Sequence, residues 1–462
     1  MPKPSASSIK QLHKDARDYV WHPFTQMREW EQQAPLIIDR GKGTFVYDLE
    51  GHAYLDGTAS IWVNIHGHRH PTIDRAIRHQ LTKIAHTTFL GLSHPSAIQL
   101  AKALIQLAPK GLKKVFFSDN GSTAVEVALK MAIQYWQQCS SPQPRKTQFI
   151  HLGLAYHGDT VGGMSLSGIE SFRKPFSSLL VPDHHAVDAP YCYRCPLDLQ
   201  FPSCQMACAD PIETLLKKKH KDIAGIIVEP MVQGVAGLIP SPPGYLKRLH
   251  ELCQHYHVLL IADEVATGFG RTSRMFACEH EGVTPDIMAV AKGMTGGYLP
   301  LAATLTTDEI YSAFLGEPHA GKTFFHGHSY TGNPLGCAAA LANLAIFKTE
   351  RTLTKVQRRA PKLSVFLNKL AADPWVGDIR QCGYMVGIEL VLNQHSKEPF
   401  PLTDRIGHRV GLAARTLGLL VRPIGNTMIL MPPLSATLKE LKQMVDILKV
   451  AISVVRASHQ TD

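Results

Sequence analysis

The run Val258-Leu259-Leu260-Ile261-Ala262 is continuously apolar and ends in the carboxylate of Asp263. A second run, Asp286-Ile287-Met288-Ala289-Val290-Ala291, is followed directly by Lys292. Short apolar runs bounded by turn residues are typical of parallel strands that are buried on both faces. The carboxyl ends of such strands open onto the crevice where α/β proteins bind ligands. The two runs therefore predict a carboxylate and an amine at one ligand-binding edge.

The pattern on either side of these runs alternates between strand and helix periodicity, which predicts an α/β fold with a large, mostly parallel sheet. Further strands are predicted at Lys114–Ser118, Gln148–Leu152 and Gly225–Glu229, and helices at Pro95–Leu107, Gly121–Gln138 and Tyr245–His255.

The pattern changes after about residue 348, where a helix, a strand at Gly383–Val391 and a helix ending near Val455 predict a smaller α+β domain. We therefore predict a large domain at 56–345, with an irregular cysteine-rich insertion at about 189–211, and a small domain at 346–462. The N-terminal segment 1–55 is expected to join the small domain.

Composition excludes several classes of protein. The 462 residues are 45% hydrophobic and 19% charged, which excludes a disordered chain. No run of about 18 apolar residues predicts a transmembrane helix, and residues 1–14 lack the apolar region of a signal peptide. The nine cysteines are an odd number in a long chain, which does not indicate a secreted disulfide framework. We expect a soluble cytoplasmic protein that does not associate with membranes.

The net charge of +10 does not by itself indicate a nucleic-acid partner. The basic clusters Lys217–Lys221 and Arg358–Lys362 lie in helical patterns and contain no aromatic residues for stacking on bases. They are interpreted as solvated helix faces, and no nucleic acid is predicted as a partner.

A third motif, Ser118-Asp119-Asn120-Gly121-Ser122-Thr123, joins a predicted strand to a long helix. The N–H groups and the dipole of such a helix start bind phosphate, although a plain helix cap would give the same pattern. Together with Asp263 and Lys292, this motif supplies what pyridoxal 5'-phosphate (PLP) requires. The lysine attaches the cofactor, the carboxylate keeps its pyridine nitrogen protonated, and the helix start holds its phosphate.

Leu259–Ala277, followed by Pro285-Asp286 and Ala291-Lys292-Gly293, resembles the signature of the class III aminotransferases. These are fold-type I PLP-dependent transferases that act as dimers. Within that family, several motifs resemble the 7,8-diaminopelargonic acid aminotransferases of biotin synthesis: Trp21-His22-Pro23-Phe24-Thr25-Gln26-Met27, Asp56-Gly57 with Trp62 and His66-Gly67, Tyr156-His157-Gly158-Asp159-Thr160, and His326-Gly327 with Gly332-Asn333-Pro334. The resemblance extends from about Tyr19 to Val455.

The resemblance implies a role for each matching residue. Lys292 would carry PLP and move the proton, Asp263 would pair with the pyridine nitrogen, and Tyr156 would pack over the cofactor ring and border the substrate. The phosphate would be held by Gly121 and Ser122 and, from a partner subunit, by His328 and Ser329. Arg422 would bind the substrate carboxylate through a bidentate pair. The substrate pocket would be lined by Gly327, Phe24, Ile61 and Trp62, the last three of which could also be ordinary apolar core.

The resemblance also implies the substrates. The acceptor would be 8-amino-7-oxononanoate and the amino donor S-adenosylmethionine. Typical adenosylmethionine users carry a tyrosine where this chain has Phe24 and a second tryptophan where it has Ile61. Phe24 and Ile61 look closer to relatives that use lysine, so lysine remains the alternative donor. Another class III aminotransferase activity is a further alternative.

The segment Gly316–Thr323 fits the P-loop pattern G-x-x-x-x-G-K-T. This match leaves a different class of function, that of an ATP-binding protein, as an alternative hypothesis. A P-loop, however, requires a strand before it, and Asp308–Leu315 has a helical pattern. We therefore expect no nucleotide triphosphate site at Gly316–Thr323.

Four cysteines, Cys192, Cys195, Cys204 and Cys208, have the C-x₂-C…C-x₃-C spacing of a structural zinc site. They could equally be reduced, buried thiols. No catalytic metal is predicted, because four thiolates would leave no open coordination position.

Overall fold

The computed structural model describes residues 5–33 and 35–459. Residues 1–4, 34 and 460–462 lie outside the described part, and so do the corresponding positions of the predicted N-terminal and C-terminal segments. No helix within the described ranges is both long and apolar enough to cross a membrane.

The strands follow one another in this order: β1 (Ile38–Lys42), β2 (Phe45–Asp48), β3 (Ala53–Asp56), β4 (Leu112–Ser118), β5 (Gln148–Leu152), β6 (His185–Val187), β7 (Ile223–Val228), β8 (Val232–Gln233), β9 (Ile239–Pro240), β10 (Leu259–Asp263), β11 (Ile287–Val290), β12 (Ala302–Thr307), β13 (Val376–Cys382), β14 (Met385–Asn393), β15 (Glu398–Pro399), β16 (Leu419–Leu420) and β17 (Thr427–Leu430).

The α-helices are α1 (Ala6–Tyr19), α2 (Met27–Gln32), α3 (Ala59–Trp62), α4 (Pro71–Leu81), α5 (Pro95–Leu107), α6 (Gly121–Gln138), α7 (Val161–Ser165), α8 (Glu170–Arg173), α9 (Asp210–Lys219), α10 (Tyr245–His255), α11 (Asp308–Ala313), α12 (Pro334–Thr349), α13 (Thr352–Leu367), α14 (Ile406–Thr416) and α15 (Leu438–His459).

The central sheet has seven strands in the order β4-β12-β11-β10-β7-β5-β6. All pairs are parallel except those of β12, which runs antiparallel to both β11 and β4. The predicted α/β class with a mostly parallel sheet is confirmed. The central strands β7, β10 and β11 are buried along their whole length, as strands covered on both faces must be.

The hydrophobic core divides along the two faces of this sheet. Successive residues along a strand belong to different hydrophobic clusters. Ile226, Leu260 and Met288 belong to the larger cluster. Ile227 and Ile261 belong to the cluster that α6 covers. The period of two along each strand places the apolar side chains on both faces at once, so the sheet is fixed between two helical layers.

Two four-stranded sheets and a two-stranded sheet, in which β8 pairs with β9, accompany the central one. In the first, β1, β2 and β3 are joined by β16 from the C-terminal part of the chain, with Leu419 opposite Leu55 in parallel register. The second consists of β13, β14, β15 and β17. The pairing of β3 with β16 supports a proposal that the N-terminal segment packs with the small domain, while the domain boundaries themselves stay a prediction.

One predicted strand is displaced. The strand expected at Gly383–Val391 begins at Met385, because Gly383 has φ +63° and lies in the turn between β13 and β14. A Cβ at Gly383 would lie 2.4 Å from the carbonyl oxygen of Arg271, so this turn has no room for a side chain.

Candidate active site

The edge where β10 and β11 end forms one side of a cavity of about 520 Å³. Asp263 is the last residue of β10, and Lys292 starts a 3₁₀ turn just after the neighbouring β11. Both side chains line the cavity, where Asp263 is buried and Lys292 is partly buried. Lys292 has φ +38°, a left-handed conformation that is uncommon for lysine and points to a local functional constraint. The structure thus brings together the carboxylate and the amine that the two apolar runs predicted.

The start of α6 forms another wall of this cavity. Asn120 caps the helix by accepting from the N–H of Thr123, and the Thr123 side chain accepts from the N–H of Asn120. Gly121 and Ser122 follow in the first turn, where backbone N–H groups have no acceptor within the helix. The cap and an anion site therefore coexist here, because the cap uses the N–H of Thr123 and not those of Gly121 and Ser122.

The backbone around this helix start is packed closely. A Cβ at Gly121 would lie 2.5 Å from Cγ1 of Val265, and a Cβ at Gly158 would lie 2.2 Å from Oγ of Ser122. Glycine at both positions allows two loops to approach the helix start directly. The result is a cradle of backbone whose size and dipole suit a phosphate group.

Asp263 is held in place by two hydrogen bonds. Nδ1 of His157 donates to its Oδ2 at 2.8 Å, and the N–H of Val265 donates to its Oδ1 at 3.1 Å. His157 is buried, and its Nε2 has no hydrogen-bond partner among the described residues. Sequence reasoning assigned no role to His157, although it stands in the motif Tyr156–Thr160 that carried part of the resemblance.

A second buried carboxylate, Glu229, lines the same cavity. It accepts from the N–H groups of Tyr156 and Gly234. Burial, together with the nearby Asp263, raises its pKa to about 7, although His157 opposes the shift. Burial lowers the pKa of Lys292, while Asp263 and Glu229 oppose that shift. Glu229 was read from the sequence only as the end of a strand.

Trp62 forms the wall opposite the amine, with its ring centroid 4.8 Å from Nζ of Lys292. It ends α3, which is a left-handed turn: the φ angles of Ala59, Ser60, Ile61 and Trp62 are 47°, 50°, 61° and 71°. Each left-handed non-glycine residue costs roughly 1–2 kcal/mol, so the surrounding structure must enforce this turn.

Two buried charges hold the left-handed turn. Arg271 donates to the carbonyl oxygens of Trp62 at 3.0 Å and Asn64 at 2.8 Å, and also to that of Pro432. Asp56 accepts from the N–H and the hydroxyl of Ser60. Arg271 and Asp56 stand inside motifs that carried the resemblance, but nothing in a sequence indicates that they support a turn of this hand.

Two of the predicted pocket residues, Phe24 and Ile61, lie outside this cavity. Phe24 and Ile61 are 58% and 46% exposed, so the alternative that they are ordinary core is wrong for both, because neither is covered. Trp62 is 7% exposed but lines the cavity.

The Phe24 ring contacts Phe172, which also contacts Tyr156 edge-on. Nη2 of Arg422 donates to the Phe24 carbonyl at 3.1 Å. Tyr156 therefore links the cavity to an outer region that holds Phe24 and Arg422.

The loop of Gly327, His328 and Ser329 lies outside the main cavity. Nε2 of His328 is 4.0 Å from Oδ1 of Asp119 in the same chain, and Asp119 lines the cavity beside the start of α6. The loop thus lies at the rim of its own phosphate cradle. The expectation that His328 and Ser329 reach a partner's cradle stays a prediction.

The P-loop alternative is wrong on structural grounds. Gly316–Thr323 follows the helix α11, contains a short 3₁₀ turn at Pro318–Ala320, and has no helix beginning at Lys322. A P-loop joins a strand to a helix whose first turn holds the phosphates, and both elements are missing at this segment.

The donor set of the main cavity fits PLP. An amine, a buried carboxylate on the cavity wall and a glycine-lined helix start are the three groups that attach the aldehyde, protonate the pyridine nitrogen and hold the phosphate. The arrangement can therefore bind a phosphorylated pyridine aldehyde and move protons beside it.

Comparison with known proteins agrees with this chemistry. The family model described as aminotransferase class III matches residues 26–452. An adenosylmethionine-8-amino-7-oxononanoate aminotransferase of Geobacter sulfurreducens is 50% identical over 440 residues, which cover 95% of this chain and 96% of that protein. A similar protein of the same description from Aquifex aeolicus is 47% identical over 444 residues, 96% of this chain and 97% of that protein.

Solved structures agree as well. The crystal structure of adenosylmethionine-8-amino-7-oxononanoate aminotransferase from Methanocaldococcus jannaschii matches with a TM-score of 0.90 and 43% identity, covering 96% of this chain and 99% of that one. An amine transaminase from an uncultivated Pseudomonas species, solved in its PLP-bound form, matches with a TM-score of 0.91 and 37% identity over 95% of this chain and 99% of that one.

Proposed function

Because the chain belongs to the class III aminotransferases, we propose that it transfers an amino group to 8-amino-7-oxononanoate and makes 7,8-diaminononanoate for biotin synthesis. Relatives that are 45–50% identical over nearly the whole chain are named for this reaction. The observation in the structure that carries the proposal is the shared cavity of Lys292, Asp263 and the start of α6.

PLP is the cofactor, and when bound it withdraws electrons from the carbon that carries the amino group, which makes that carbon acidic. Lys292 attaches the cofactor and then moves the proton between that carbon and the cofactor. Burial lowers the pKa of Lys292, so its amine loses a proton more readily than an exposed lysine does and can act as a base.

The other residues of the cavity orient and shield this reaction. Asp263, fixed by His157, holds a proton on the pyridine nitrogen, and the N–H groups of Gly121 and Ser122 hold the phosphate. Trp62 covers the amine of Lys292 and excludes water from it.

Substrate recognition is assigned to the outer region. Arg422 is exposed beside Phe24, and its guanidinium would bind the carboxylate of 8-amino-7-oxononanoate or of the donor. Both half-reactions use one cavity, so one site accepts two molecules in turn. We assign the donor role to S-adenosylmethionine, because the relatives are named for it. Lysine is the second candidate, since Phe24 lacks a hydroxyl and Ile61 offers no aromatic face at the rim.

A homodimer and a cytoplasmic location complete the proposal. In the dimer, His328 and Ser329 would each contribute to a neighbour's phosphate cradle. The homodimer and its shared phosphate cradles rest on the resemblance described above.

The proposed reaction is tested by product formation. Purified holoenzyme is given 8-amino-7-oxononanoate with either S-adenosylmethionine or lysine, and 7,8-diaminononanoate is measured by mass spectrometry. We expect turnover with S-adenosylmethionine. Turnover with lysine alone would transfer the donor role to lysine, and no diaminononanoate with either donor would contradict the proposed acceptor.

The left-handed turn predicts a selective kinetic defect. Arg271→Gln removes the charged hydrogen bonds from Arg271 to the carbonyl oxygens of Trp62 and Asn64, and these bonds fix the position of Trp62. Hydrogen bonds of charged groups contribute roughly 1.5–3 kcal/mol each. We expect KM for 8-amino-7-oxononanoate to rise about tenfold, the equivalent of about 1.4 kcal/mol, while PLP stays bound and kcat changes less.

A matched control is Arg359→Gln, because Arg359 also donates to backbone carbonyls, those of Ser435 and Ala436, but does not contact the turn. Equal changes in KM for the two variants at equal loss of Tm would show that Arg271 is merely structural.

A further inference from the structure

Four cysteines of the insertion surround one small cavity. Cys192, Cys195, Cys204 and Cys208 all line it, together with apolar residues of the same loop. None of the four takes part in a disulfide, and Cys192 is the exposed member while the other three are partly buried. This cavity shares no lining residue with the active-site cavity. Four soft ligands therefore converge at a place that the proposed reaction does not use.

The loop that carries them has almost no regular structure of its own. Between β6 and α9 it contains turns and one 3₁₀ turn at Ala207–Ala209. One cysteine of each pair takes part in a local turn: the N–H of Asp198 donates to the carbonyl of Cys195 at 3.1 Å, and the N–H of Cys204 donates to that of Gln200 at 2.9 Å. A segment with so few ladder hydrogen bonds needs another source of order.

The loop nevertheless has a defined position against β14. Arg194 pairs with Glu389 at 2.6 Å, Tyr191 donates to the same carboxylate, and Nζ of Lys397 donates to the carbonyl of Tyr193 at 2.8 Å. Tyr191 directly precedes Cys192, and Arg194 directly precedes Cys195. A ligand bound by all four cysteines would fix the loop and keep these contacts in place.

We propose that Cys192, Cys195, Cys204 and Cys208 bind a structural zinc ion. The C-x₂-C…C-x₃-C spacing gives two thiolates from each of two turns, which is the usual ligand set of a closed tetrahedral zinc site. Thiolates select zinc over the hard cations, which prefer oxygen. Four protein ligands leave no open position, so the ion would stabilise the loop and take no part in transamination.

Binding requires the four sulfurs to move inward. Among residues 5–33 and 35–459, no three of them lie within 4.8 Å of one another. A Zn–S distance of about 2.3 Å sets the sulfurs of a tetrahedral site about 3.8 Å apart. Rotation of a cysteine between staggered χ1 positions moves its sulfur by about 3 Å, so side-chain rotation can close the site without rebuilding the loop.

Metal analysis of the full-length holoenzyme tests the proposal. The protein is expressed with zinc in the medium and purified without chelator or a histidine tag. We expect about one zinc per chain, with the same content in the control variant Cys139→Ser, whose thiol lies outside the loop. Cys208→Ser should lose most of the zinc, and a strong chelator should lower the Tm of the wild-type protein but not alter its PLP absorption.

If Cys208→Ser fails to fold, cobalt exchange into the wild-type protein replaces it as the test. Thiolate-to-cobalt charge-transfer bands with tetrahedral d–d bands would support the site. The proposal is overturned by a metal content below about 0.1 per chain, by four freely alkylated thiols in protein that takes up no cobalt, or by a disulfide within the loop. None of these outcomes depends on the identity of the transamination substrates.

Discussion

Lys292→Ala should lower the rate of transamination at least about 10³-fold, because it removes both the covalent attachment of PLP and the base that moves the proton. The cavity otherwise keeps its cradle and its carboxylate, so PLP should still bind without a covalent bond. The measurement is the rate of 7,8-diaminononanoate formation, with the absorption of PLP recorded on the same samples.

Lys322→Ala is the matched control, because Lys322 is the lysine of the P-loop-like segment and lies outside the cavity. It should retain wild-type activity. Removing a general base lowers the rate by far more than about tenfold. If Lys292→Ala kept more than about a tenth of the wild-type activity, the role assigned to Lys292 would therefore be wrong.

Asp263→Asn should lower kcat by roughly 10²–10³-fold, as expected when one fixed charge that stabilises the transition state is lost. An amide cannot hold the pyridine nitrogen protonated, so the cofactor withdraws electrons poorly, yet the variant should still contain PLP. Stopped-flow measurement of each half-reaction separates this loss from a loss of binding.

His157→Gln serves as a graded comparison, because it weakens only the hydrogen bond that orients Asp263. A loss of about tenfold is expected, equal to about 1.4 kcal/mol, with PLP absorption shifted in the same direction as in Asp263→Asn. Normal proton transfer in Asp263→Asn would contradict the assigned charge pair.

Much of the fold could be predicted from periodicity. The helices Pro95–Leu107, Gly121–Gln138 and Tyr245–His255 have the predicted bounds, because each starts at a proline, glycine or turn signal and repeats apolar residues at helical spacing. The strands β7, β10 and β11 lie in mostly continuous apolar runs, β5 contains three apolar residues, and all four strands were predicted to within two residues.

The elements that were missed lack a local signal. β12 reads Ala302-Ala303-Thr304-Leu305-Thr306-Thr307, with neither an apolar run nor clean alternation, and it becomes a strand because β4 and β11 pair with it on both sides. The left-handed turn Ala59–Trp62 runs against intrinsic backbone preference and is imposed by the buried Arg271.

The residues of the site likewise divide into those that have a local sequence signal and those that do not. Asp263, Lys292 and Gly121 were found because each stands where a strand or helix begins or ends. Glu229 and His157 become part of the site only when β7 and the loop after β5 come together beside β10, and a sequence does not state such distances. Phe24 and Arg422 meet across nearly the whole chain, so their contact could be expected only from the family resemblance.

Lys292, next to Asp263 in this cavity, is the residue that we propose carries PLP. Borohydride reduction of the holoenzyme fixes the cofactor on its lysine, and peptide mapping by mass spectrometry then locates the label. We expect a single pyridoxyl group on Lys292 and loss of activity in proportion to labelling. A pyridoxyl group on any other lysine, with Lys292 unmodified, would contradict it.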